Sequence, residues 1–147
     1  MAKTPVYEMR IVKCGFVKEP EYGDSKITSP REIADWASPW RSQPQEHVVC
    51  YSLDSAGRII TSRVVTIGLM NHSLVHPREV FRGAILDNAA SVIVAHNHPS
   101  GSLEPSGQDI AITVQLKESG QILGIPLIDH VIVTTGGFWS MREHGQL

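Results

Sequence analysis

Apolar positions along the 147 residues fall into short blocks whose spacing alternates between strand-like and helix-like. Residues 5–14 (PVYEMRIVKC) form a β-prone stretch, and the polar segment EPEYGDSKITSP after them reads as a loop. Pro30 opens a predicted helix over REIADWASPW, with Ser29 as N-cap, Pro39 ending it, and Ile33, Trp36 and Ala37 on one face. HVVCYSLD and RIITSRVVTIG, rich in β-branched residues, predict a strand pair across the turn Ser55-Ala56-Gly57. Pro77 stands near the start of a second helix, PREVFRGAILDNA, whose Val80, Phe81, Ala84, Ile85 and Ala89 recur at helical spacing.

The run SVIVA (91–95) lacks polar alternation beyond its first residue, as expected of a strand buried on both faces. The loop HNHPSGSLEPSG follows, then a third helix over GQDIAITVQLKESGQIL. LIDHVIVTT reads as another strand, turning at Gly136-Gly137 into FWSMRE. Interspersed strands and helices predict an α/β or α+β fold with a central mixed β-sheet flanked by helices.

A chain of this length suits one compact domain with a core of its own. Thirteen Lys and Arg stand against fifteen Asp and Glu, and no basic run marks a nucleic-acid footprint. Cys14 and Cys50 each sit in an apolar stretch and read as buried free thiols; there is no C-x-x-C pair to hold a metal. Neither a secretory h-region nor a membrane-length apolar run is present, which predicts a soluble, cytoplasmic protein without a membrane partner. Strand edges leave a homo-oligomer open.

The chemistry concentrates at His96-Asn97-His98-Pro99-Ser100-Gly101, directly after SVIVA. In an extended segment, residues two apart point the same way, so His96 and His98 can aim their imidazoles at one point. Asp109 lies in the first turn of the third helix and supplies a carboxylate if the loop folds back. Two His and one Asp leave a fourth position open, the pattern of a catalytic zinc site. Ser106-x-x-Asp109 alone also reads as a capping box. The zinc-deaminase pattern of H-x-E with P-C-x-x-C is absent.

His96, His98, Ser106 and Asp109 match the spacing H-x-H, seven residues, Ser, two residues, Asp. With SLVHPREVFRGAILDNAASVIVAHNHPSG, PSGQDIAIT, LGIPLIDHVIV and SMREHG, the chain resembles the RadC-like branch of the JAB1/MPN/Mov34 (JAMM) metalloprotease superfamily. The resemblance runs from about Ser29 to the C-terminus, leaving residues 1–28 as a β-prone extension ahead of a domain over 29–147. It implies a JAB1/MPN-like fold with cytidine-deaminase-like layering. It also implies one Zn2+ per chain on His96, His98 and Asp109, with Ser106 steadying an oxyanion.

The upstream Glu of the motif is best matched by Glu46, as the proton carrier for a zinc-bound water; Glu79 in HPREVF is the rival. The implied activity is that of a zinc metallopeptidase or isopeptidase acting on a peptide or isopeptide substrate whose identity is open. The other reading is a RadC-like accessory or binding protein in DNA repair with little catalysis, and direct nucleic-acid binding stays open. Two features depart from the family's habit. A helix-hairpin-helix region is usual at the N-terminus, and an Asp or similar residue is common where SGSLEPSG has Ser102. Outside this set, His72 and His76 read as loop or capping groups and Trp36, Trp40 and Trp139 as packing. His130 reads either as a structural histidine or as support for the metal.

Overall fold

The computed structural model describes residues 26–68 and 75–147. The β-prone stretch 5–14, Cys14 and His72 lie outside the described residues. The elements are α1 (Pro30–Trp36), a one-turn 3-10 helix (Ser38–Trp40), β1 (Glu46–Leu53), β2 (Ile59–Gly68), α2 (Pro77–Leu86), β3 (Ser91–Asn97), α3 (Gly107–Leu123), β4 (Leu127–Thr134) and β5 (Gly137–Ser140). One mixed five-stranded sheet has the order β2-β1-β3-β4-β5. Only β3 and β4 run parallel, because α3 carries the chain back across the sheet between them. The fold is α+β, with a helix layer on each face.

The alternation along the central strands sorts side chains between two cores. Val48, Cys50, Val92 and Val94 pack with Val80, Phe81 and Ala84 of α2 and Leu116 of α3. Val49, Tyr51, Ile93 and Ala95 face the other way, onto Ile33, Ala34 and Ala37. Burial pushes the Cys50 thiol up to about 12, so it behaves as a small apolar side chain.

Two helix boundaries differ from the sequence expectation. α1 stops at Trp36 and Pro39 falls within the separate 3-10 turn. A proline ring cannot follow the i−4 carbonyl inside an α-helix, so the chain tightens before it. α2 stops at Leu86, with Asp87 as C-cap and Asn88 in the left-handed region at φ 53°. Ala89 is therefore buried just beyond the helix. Ile85 turns outward and is 56% exposed, because α2 buries the narrower stripe of Val80, Phe81 and Ala84.

The end of α2 is tied to β2: Thr61 Oγ1 donates to Asp87 Oδ2 at 2.6 Å and Arg63 Nη2 to Asp87 Oδ1 at 2.5 Å. α3 covers the span expected of it, with Ser106 as N-cap and Gly124 as a left-handed C-cap at φ 71°. Among the described residues, no helix is long and apolar enough to cross a membrane.

Candidate metal centre

β3 extends two residues past SVIVA, so His96 is still held in the ladder, opposite Val48 of β1 and Ile132 of β4. It is 2% exposed. His98 follows two residues later and points the same way, bringing the two Nε2 atoms within 2.9 Å. Asp109 arrives from the first turn of α3. The Ser106 backbone N–H and hydroxyl both donate to Asp109 Oδ2 at 2.7 Å, and Asp109 N–H donates back to Ser106 Oγ at 3.1 Å. This capping box pins the carboxylate at the positive end of α3. Asp109 Oδ1 then lies 3.2 Å from His96 Nε2, and Oδ2 lies 3.3 Å from His98 Nε2.

The ring of His98 is oriented by the Ser102 carbonyl, 2.8 Å from Nδ1. A carbonyl only accepts, so Nδ1 carries the proton and the neutral ring turns its Nε2 lone pair toward Asp109. Ligand atoms of His96, His98 and Asp109 lie within 4.8 Å of one another, and these three residues can hold a metal ion. Burial lowers the basicity of His98, but the Asp109 carboxylate, the Ser102 carbonyl and the charge of Glu46 outweigh it and leave its pKa raised. Burial raises Asp109, yet its contacts with His96, His98 and Ser106 outweigh that and hold it well below the usual carboxylate range. The two directions describe a carboxylate held in its charged form beside a ring that it makes more basic. Two imidazole nitrogens and a carboxylate oxygen are the donor set of a divalent transition metal with an open position.

The alternation of β1 places Glu46 on the face of Val48, and both line the same cleft as His96 and His98, of about 690 Å³. Ser106 and Asp109 border this cleft with Val75, Val94 and Ile112. Glu79 sits instead on the first turn of α2, against Arg78 at 3.5 Å and Arg82 at 3.8 Å, and is absent from the cleft lining. His47 faces the opposite side, its ring stacked on Trp40 at 5.0 Å between centroids. His76 Nδ1 accepts from Arg78 N–H and caps α2. Trp139 stacks on His144 at 3.5 Å.

Three buried polar residues surround the site, and two of them, Thr113 and Asn97, went unassigned in the sequence reading. His130 Nε2 lies 2.7 Å from His96 Nδ1, a contact open to both readings given for this residue, structural histidine or support for the metal. Burial, then the charge of His96, pushes its pKa well below the ordinary histidine value. Thr113, beneath His130, and Asn97, between the two histidines, gave no signal beyond a polar residue inside an otherwise apolar pattern.

A sequence profile of the RadC-like JAB domain matches residues 27–146. A UPF0758 protein of Methanospirillum hungatei is 55% identical over 131 residues, covering 89% of this chain and 55% of the relative. One from Methanosarcina mazei is 43% identical over 131 residues, covering 88% and 56%. One from Bacillus licheniformis is 52% identical over 122 residues, covering 82% and 54%. The chain thus spans about half the length of the curated relatives it matches. On the profile match across most of its length, and with the His-His-Asp cluster in place, the chain belongs to the RadC-like JAB domain family.

Proposed function

We propose that this protein is a zinc-dependent amide hydrolase of the JAMM type, a metallopeptidase or isopeptidase. The observation that carries this reading is the convergence of His96 Nε2, His98 Nε2 and the Asp109 carboxylate beside Glu46 in one cleft. Imidazole nitrogen with carboxylate oxygen suits zinc, and three protein ligands leave a position for water or substrate. When bound, zinc supplies a Lewis acid and a water whose pKa falls to about 7.

The remaining work belongs to side chains of this chain. Glu46, on the cleft side of β1, accepts a proton from the attacking water and passes it to the leaving amine. Ser106 keeps its oxygen as the cap acceptor for Asp109 N–H. Its O–H rotor can turn the proton from Asp109 Oδ2 toward an oxygen that gains negative charge, a contribution of about 3 kcal/mol for one such donor. The half-buried apolar side chains Val75 and Ile112 on the cleft wall accept an uncharged stretch of substrate beside the reacting bond.

Elemental analysis tests the reading first. Purified protein is expected to carry one zinc per chain, and both His96→Ala and Asp109→Ala to lose it. A zinc-free wild type that cannot be loaded, or full zinc in both variants, overturns it. Zinc-loaded protein is then expected to cleave members of a peptide or isopeptide library, and Glu46→Gln to retain zinc while losing cleavage.

A further inference from the structure

His130 stands on β4 in register with Val94, two residues before His96 on the adjacent β3, so both rings lie on the α3 face. His130 Nε2 is 2.7 Å from His96 Nδ1. On the other side of the ring, His130 Nδ1 is 2.6 Å from the Thr113 hydroxyl. That hydroxyl lies 2.5 Å from the backbone carbonyl of Asp109, one turn earlier in α3. His96 and His130 are each 2% exposed and Thr113 is 0% exposed, so bulk water does not compete for these contacts.

The donor and acceptor inventory allows one order of protons along this path. A carbonyl oxygen only accepts, and a hydroxyl has a single proton to give. Thr113 therefore donates to Asp109, and its oxygen accepts from His130 Nδ1. A neutral ring with its proton on Nδ1 has a lone pair on Nε2. The proton in the contact between the two histidines then belongs to His96 Nδ1, which leaves His96 Nε2 bare on the side of His98 and Asp109.

We infer that His130 and Thr113 are positioning residues that lock His96 in the tautomer able to bind a metal. The path begins at the ring of one candidate ligand and ends on the backbone of another, so β4 and α3 together set the direction of its protons. The inference deepens the proposed function and rests on its metal-binding half, not on catalysis.

Nitrogen-15 NMR of the metal-free protein at alkaline pH reads the tautomers directly. His96 and His130 are both expected as Nδ1–H forms; an Nε2–H form of His96 overturns the inference. Thr113→Val removes the hydroxyl while keeping the side-chain shape. It is expected to shift His130 toward the Nε2–H form and to weaken Zn2+ binding, measured against a competing chelator, by roughly 10- to 100-fold. Thr113→Ser is expected to restore both. Wild-type Zn2+ affinity in Thr113→Val, or equal losses in the Val and Ser variants, counts against the inference. The wild-type tautomers decide it even if a variant fails to fold. A wild type with the expected tautomers that takes up no Zn2+ upholds the proton order and overturns the proposed function instead.

Discussion

Asn97 separates His96 from His98 in the chain, but its side chain lies on the other face of the sheet, where Oδ1 accepts the backbone N–H of His47 at 2.7 Å. Its Nδ2 donates to the carbonyls of Gln43 and Gln45, at 3.2 and 3.1 Å. The ladder between β1 and β3 ends at the pair Val48–His96, and this side chain continues it past that point. Glu46 sits between the residues Asn97 grips, so the strand carrying the two histidines also holds the backbone of the proposed proton carrier.

Asn97→Ala is therefore expected to leave the buried His47 N–H without its partner and to cost about 1–3 kcal/mol. Urea unfolding measures that loss. Zinc content is expected to stay at the wild-type level, because neither histidine nor Asp109 depends on the amide. A variant as stable as wild type would show that the amide does not hold the start of β1.

Much of the site was legible because its signals are local. The two-residue period of a strand brings His96 and His98 together, and a cap three residues from its partner defines where α3 starts. The same local logic gave α3 its C-terminal end at Gly124. What escaped the sequence reading are pairings across distance, even where a residue such as His130 had been singled out. Asn97 meets His47 from 50 residues away, His130 meets His96 from 34, and Thr113 meets His130 from 17. No periodicity reports such pairings. Ile85 was misplaced for a related reason: helical spacing defines a stripe, while its width is set by the sheet that covers it.

Ser106 joins the cap to the candidate ligand, so one substitution is expected to change two measurements. Ser106→Ala removes the acceptor for Asp109 N–H and a donor to Asp109 Oδ2. Loss of the cap is expected to cost about 1 kcal/mol in chemical unfolding of the metal-free protein. Loss of the carboxylate anchor is expected to weaken Zn2+ binding by roughly 10- to 100-fold. Ser106→Thr, which keeps the hydroxyl, is expected to recover most of both. A loss of stability without a loss of zinc affinity would mean the cap does not orient the ligand.

The raised pKa of His98 predicts opposite pH trends for the two metal states. In metal-free protein, the protonated ring gains from Asp109, so its contribution to stability is fully present below the unfolded histidine pKa of about 6.5. That contribution is lost as pH rises through the higher folded value. A metal needs the deprotonated ring, so Zn2+ affinity should rise over the same interval, with release of a proton below it. Calorimetry in two buffers of different ionisation enthalpy counts the protons released. Zinc affinity independent of pH across this interval would remove His98 from the ligand set.

Gly120 tests how closely α3 is seated on the core that positions Asp109. A Cβ at this residue would lie 2.6 Å from the Ile125 carbonyl oxygen and 3.1 Å from the Phe81 ring. The oxygen is backbone, part of the turn into β4, and it cannot swing aside as a long side chain would. Alanine in a helix is worth about 1 kcal/mol over glycine, while forcing atoms into a filled core costs about 1–3 kcal/mol. Gly120→Ala is therefore expected to lower stability in spite of the better helix former. Gly107→Ala, at the first position of the same helix with nothing within 4 Å of the added carbon, is expected to be neutral or slightly stabilising. Unfolding curves for the pair separate propensity from packing. If Gly120→Ala proved as stable as Gly107→Ala, the close seating of α3 against Ile125 and Phe81 would be wrong. In that case the approach of α3 to the sheet would not be what sets the distance from Asp109 to the two histidines.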